Sequence, residues 1–222
     1  MQKEFHIKLE AIPTLGVTTY LLGLAVGSLF LAPISETYGR RPVYIIAMFF
    51  FIVFVIPCAK ATSIAEIIVI RFFGAVAGSA MIANAPGSVG DIIGDEYRAL
   101  AFSIWSIGPL NGPVLGPVIG GFVTQYKGWR WTNWVVLIAA GFAFGLLCLI
   151  KETYSPTLLQ KKAEALRKRT DEDRYYCRYD QKLGFVELMK TNLSRPFVMA
   201  VKEPICIFWN VYIAIIYGKQ HV

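Results

Sequence analysis

Ionisable side chains are scarce in the apolar parts of this 222-residue chain, so the few present are the first clue to its chemistry. Arg71 lies near the start of the run Ile64–Gly90, and 19 uncharged residues follow it. An arginine deep in hydrocarbon costs about 2.5–3.5 kcal/mol on insertion scales, so such a residue usually faces a cavity or a carboxylate. Two readings stand for Arg71: it faces an interior site, or it snorkels to the outer interface a few residues away. Asn84, further along the same run, is a polar group facing a bundle interior or a helix-packing hydrogen bond.

A second group sits on the turn Pro33-Ile-Ser-Glu-Thr-Tyr-Gly-Arg-Arg-Pro42. Gly39 allows a tight reversal, Pro42 suits the first turn of a following helix, and Glu36 lies near Arg40 and Arg41. Charges on so short a turn either latch a facing helix end that later rocks away, or only anchor the loop on the positive side of a membrane. Asp91, Asp95, Glu96 and Arg98 form a similar group at the next turn on that side, placed to pair with Arg40 or Arg41. Exposed pairs of this kind are individually worth little.

Catalytic and metal chemistry find little support. Cys58, Cys148, Cys177 and Cys206 have neither CxxC nor Cys/His ligand spacing, and His6 and His221 stand near opposite chain ends. No Ser/His, Asp/Asp or His-rich pair falls on facing segments. The reading is therefore no enzyme, no metal and no cofactor.

The segments that carry these groups are membrane spans. The chain is 55% hydrophobic and 17% charged, whereas soluble domains run nearer about 45–50% and 25%. Ala11–Ile34, Pro42–Ala59, Ile64–Gly90, Ala99–Tyr126 and Trp131–Ile150 are each long enough to cross a bilayer, and all but the third are uncharged. Short connections make successive spans antiparallel. Alternate connections hold 15 and 6 basic residues, which places Ser35–Arg41 and the polar stretch Lys151–Pro196 in the cytoplasm. The charge of +7 thus points to lipid rather than nucleic acid. Trp129, Trp131 and Trp134 then fall at the outer interface. Lys161–Thr170 reads as a basic helix, either solvated between two bundles or resting on anionic lipid. The sequon at Asn192 is on the cytoplasmic side and unused. Pro204–Gly218, with 15 uncharged residues, is short for a span.

Gly108, Gly112, Gly116 and Gly120 recur with Pro109, Pro113 and Pro117, and Gly121 closes the series. On a helix a four-residue step makes each set a slowly winding stripe. In a bilayer the helix survives its prolines, because exposed backbone is so costly there. The glycine stripe then admits a neighbouring backbone closely, as small-xxx-small faces do. This is a kinked, close-packing pivot helix or a tightly packed span with no moving role.

These motifs resemble the major facilitator superfamily and, within it, the fungal drug:proton antiporter family with twelve spans, which includes polyamine and multidrug exporters. Gly27–Pro42 is similar to the signature loop between spans two and three, with Glu36 where many members have Asp. Arg71-Phe-Phe-Gly-Ala-Val-Ala-Gly78 looks like the span-four motif, whose arginine is implicated in proton coupling. Gly108–Gly121 resembles the antiporter motif of span five, and Glu152–Leu159 the segment after span six. Arg195–Gly218 looks like the start of span seven.

The resemblance implies an all-α polytopic membrane helix bundle, an incomplete facilitator fold with about five full spans and part of a sixth. Residues 1–150 would be a partial N-terminal bundle, 151–196 a basic cytoplasmic linker, and 197–222 a cut-off first span of the C-terminal bundle. It also implies proton-coupled export of small amphipathic or cationic molecules at the plasma membrane by a monomer. Arg71 would act in coupling, Glu36, Gly39, Arg40 and Arg41 as inner latch, and the glycine stripe as close-packed seam. Matching only about spans two to seven, the chain reads as a truncated member with little or no transport in isolation. The alternative is a non-transporting subunit that packs on an intact transporter.

Overall fold

The computed structural model describes residues 11–61, 63–170 and 201–219, with positions 194, 198 and 199. His6, Cys177, Asn192, His221 and the expected boundary at 196 lie outside the described residues. The described secondary structure is all helix: α1 Ala11–Tyr38, α2 Arg40–Lys60, α3 Ile64–Ile92, α4 Arg98–Lys127, α5 Trp129–Leu149, α6 Ser155–Thr170 and α7 Pro204–Lys219. Met1–Asp180 and Gln181–Val222 form two compact units. In the second, Phe208 stacks on Tyr212 along α7.

In the first unit α3 is central: it packs on α1, α2 and α4, while α5 lies against α2 and α4. Its apolar core is built from small residues, Val43, Ala47 and Ala80 at one level and Cys58, Ala61 and Ile67 at another. Long apolar side chains instead cover the outside, Leu21, Ile46, Phe50 and Leu146 among them. That inversion of a soluble protein's pattern fits helices whose solvent is lipid.

Leu15–Tyr38, Arg40–Lys60, Ile64–Ile92 and Trp129–Leu149 are long and apolar enough to cross a membrane. The fourth expected span, α4, has ample length at 30 residues. Its glycines, prolines and hydroxyls lower its hydropathy below the other four. The 16 residues of α7 fall short of a comfortable crossing.

Two connections are tighter than expected. Helix α1 runs on to Tyr38 and α2 starts at Arg40, so Ser35–Arg41 is helix apart from Gly39. Gly39 adopts φ 99° and Gly128, the sole residue between α4 and α5, φ 87°. That left-handed region is closed to most side chains, which is why single glycines make these reversals.

The close glycine seam is between α1 and α3. A Cβ added at Gly23 would sit 2.6 Å from the Phe72 carbonyl oxygen, and one at Gly27 2.5 Å from that of Val76. The stripe Gly108–Gly121, expected to form such a seam, meets no close neighbour among the described residues. Around Gly108, Gly112, Gly116 and Gly121 nothing lies within 4 Å of an added Cβ, and at Gly120 only the Thr132 methyl approaches, at 3.8 Å. Pro109, Pro113 and Pro117 are likewise exposed, and α4 buries no residue. Packing is set by what faces the stripe, and α5 meets α4 toward its far end, where Thr124 and Thr132 share a hydrogen bond.

Candidate functional site

The inner end of the bundle converges on Arg40. Helix α2 starts without a side-chain cap, since glycine precedes it. Its first backbone N–H groups therefore need acceptors from elsewhere. Gly39 donates back to the Ser35 carbonyl at 3.1 Å. The amides of Arg40 and Arg41 donate to the two carboxylate oxygens of Glu152, at 3.1 and 3.2 Å. Pro42 has no N–H to satisfy. Glu152 also accepts the amides of Thr153 and Tyr154 at 3.1 and 3.0 Å. One carboxylate thus ties the start of α2 to the segment after α5, and its charge complements the positive helix end. A Cβ at Gly39 would lie 2.7 Å from that carboxylate, a second reason for glycine there.

The Arg40 side chain turns inward and is only 8% exposed. Its Nε meets the Asp91 carboxylate at 2.7 Å, and its Nη1 donates to the Asn84 backbone carbonyl at 3.3 Å. The guanidinium lies 5.3 Å from the Tyr154 ring centre, a cation–π contact. Gly87 makes the room, since an added Cβ there would be 2.5 Å from an Arg40 nitrogen. Ser88 closes the cluster, bonding the Tyr44 hydroxyl at 2.8 Å and donating to the Asn84 carbonyl at 3.2 Å.

The expected grouping changes in three ways. Of the acids at the second turn, Asp91 alone meets Arg40; Asp95 pairs with Arg98 at 2.9 Å and Glu96 is exposed. Asp95 stands three residues before Arg98, in the turn that leads into α4. Asp91 binds the Arg40 side chain and Glu152 its backbone amide; Glu36 is exposed at the end of α1. Arg41 sends its guanidinium the other way, to the Cys148 carbonyl at 3.1 Å.

Arg71 and Asn84 stand at different levels of α3. Thirteen residues of helix place them roughly 20 Å apart along α3. Arg71 lines a cavity of about 300 Å³ toward the outer end, with Tyr20 of α1, Phe54 and Cys58 of α2, and Asn133 of α5. Asn84 is buried at the inner end beside Arg40, and its Nδ2 has no hydrogen-bond partner among the described residues. At the outer rim Lys127 lies over Trp131 and Arg130 over Trp129. No His/Cys/Asp/Glu group able to hold a metal occurs among the described residues.

The molecule thus has a mostly apolar, part-polar cavity toward one end and an ionic cluster at the other. Known proteins are similar to this chain in sequence. A family model described as Major Facilitator Superfamily matches residues 1–218. An efflux pump of Floropilus chiversii is 38% identical over 97% of this chain and 40% of its own length. The citrinin biosynthesis cluster MFS transporter of Monascus ruber is 41% identical over 97% of this chain and 44% of its own. Fluconazole resistance protein 1 of Saccharomyces cerevisiae is 35% identical over 98% of this chain and 41% of its own. The chain therefore spans less than half the length of these relatives, and it belongs to the major facilitator superfamily, as an integral membrane protein.

Proposed function

We propose that this chain supplies part of the N-terminal side of a proton-coupled exporter of small amphipathic or cationic molecules, of the fungal drug:proton antiporter type. The carrier is monomeric and sits in the plasma membrane. Its relatives named as efflux pump and fluconazole resistance protein support the export direction. The single observation that carries the coupling role is Arg71 on the wall of the outer cavity, beside Tyr20 and Asn133. A fixed positive charge in so apolar a space lowers the proton affinity of a titrating group that comes near it. Substrate and proton then alternate near the midplane between two helix bundles.

In this reading Arg40, Asp91 and Glu152 form the inner latch that opens when the bundles rock, with Gly39 and Arg41 on its hinge. The stripe Gly108–Gly121 packs on the second bundle. The isolated chain, as part of one bundle, carries out little or no transport.

The test is a chimaera in which residues 11–218 replace the matching segment of the Saccharomyces cerevisiae relative, in cells lacking that relative. Efflux of a fluorescent amphipathic cation should depend on the proton gradient, and Arg71→Ala should abolish it while the protein still reaches the membrane. Efflux that survives a protonophore, or that ignores Arg71→Ala, would sink the coupling role.

A further inference from the structure

The cavity of about 300 Å³ toward the outer end is lined from four helices. Phe51 and Phe54 of α2 are part of its mostly apolar wall, which three polar side chains interrupt: Tyr20 of α1, Arg71 of α3 and Asn133 of α5. None of the three has a hydrogen bond or ion pair among the described residues. We propose that this cavity binds an amphipathic organic acid, an aromatic ring system bearing one carboxylate, with the carboxylate on Arg71.

Charge chooses the ligand. A guanidinium stays charged wherever it sits, and among apolar walls it calls for an acceptor. Arg40, at the other end of the bundle, has Asp91, a backbone carbonyl and the Tyr154 ring. Arg71 has no such set. Its guanidinium reaches α1, where a Cβ added at Gly16 would lie 3.9 Å from its Nη1, one turn from Tyr20. Among the described residues no carboxylate lines the cavity. Glu66, five residues earlier on α3, is exposed and stands about 140° round the helix from Arg71. A carboxylate matches the planar fork of an arginine. The Tyr20 hydroxyl and the Asn133 amide are further donors on the same wall, suited to its remaining lone pairs. The volume is at the lower end of small-molecule sites, roughly 300–1,000 Å³, and Phe51 and Phe54 supply aromatic wall for the ring. A cation would meet Arg71 and no acid. The inference goes beyond the transport reading and does not rest on it, because all four lining helices belong to one unit.

The experiment is equilibrium dialysis of the purified chain, in an uncharged detergent at neutral pH, against naphthoate, the neutral naphthamide and the cationic naphthylmethylammonium. Naphthoate should bind at least about tenfold tighter than either of the others. Arg71→Gln should weaken it by about tenfold and leave naphthamide unchanged, whereas Arg71→Lys should keep the preference for the anion with a loss of about threefold. Tyr20→Phe should cost naphthoate about threefold. Lys127→Gln, at the outer rim, should change nothing. Equal binding of the three ligands, a preference for the cation, or naphthoate binding that ignores Arg71→Gln overturns the proposal. So does an equal loss in Lys127→Gln, which would mark general surface attraction. So does a tenfold gain in Glu10→Gln, which would mean that an acid of the chain itself serves Arg71. Tyr20→Phe removes one hydroxyl only, so it decides the matter even if Arg71→Gln unfolds. No gradient and no second bundle enter this measurement, so it can fail while the coupling role of Arg71 stands.

Discussion

Two glycine series on different spans behave in opposite ways. Gly23 and Gly27 of α1 are buried against the backbone of α3, closer than any side chain allows. The longer series on α4, from Gly108 to Gly121, meets almost nothing within the unit. Both have the same four-residue spacing. Spacing therefore marks a face able to approach another helix, but whether it does depends on the surface opposite. Helix α3 offers Ala75 and Ser79 to α1, small residues at matching intervals, whereas α4 meets α5 mainly at its tip.

The largest effect should come from Gly27→Leu. A side chain there must displace backbone, and a cost of at least about 3 kcal/mol is expected, above the usual overpacking penalty. The same change at Gly112 should cost nothing, with a gain of up to about 1 kcal/mol from helix propensity. Unfolding of the purified chain in detergent measures both, and equal losses would erase the contrast. Asp91→Ala follows, at about 3 kcal/mol, because it strands the buried Arg40 charge. The same unfolding midpoints should show little change for Asp95→Ala, whose pair is exposed.

Gly87→Ala is next. It crowds the Arg40 guanidinium, which sits on a flexible stem, and should cost about 1–2 kcal/mol. In an Arg40→Ala background the added cost should vanish, and a double-mutant cycle reads that directly. Smallest is Gly116→Ala, expected to stabilise the chain alone by up to about 1 kcal/mol through helix propensity. In the chimaera described above, the same substitution should impair efflux if the stripe meets the second bundle. Unimpaired efflux would argue that α4 has no seam at all.

Much of this was legible from residue order. Span positions followed from uncharged length, and the reversal at Gly39 from the turn that carries it; the one at Gly128 was not read. The pairing of the second acidic group with the signature loop was also readable, though only for Asp91. Glu152 was not singled out as a cap, because its targets lie more than 100 residues earlier and are backbone amides, which leave no trace in side-chain patterns. One signal was available: a helix opening Gly-Arg-Arg-Pro has no side-chain cap of its own, so its two free amides must find an acceptor elsewhere. Gly23 and Gly27 were overlooked beside a longer and more conspicuous series. Tyr44, Ser88 and Gly87 serve the Arg40 cluster through shape and hydroxyl placement, which a single sequence does not reveal.

The Glu152 bond also has a consequence for biosynthesis. Its acceptor and donor are 112 residues apart in the chain. At ribosomal speeds that is a wait of roughly 6–20 s between making one and making the other. During that interval α2 must hold its place in the translocon's vicinity with its leading amides still hydrated, so the inner closure can be completed only after the fifth helix has emerged.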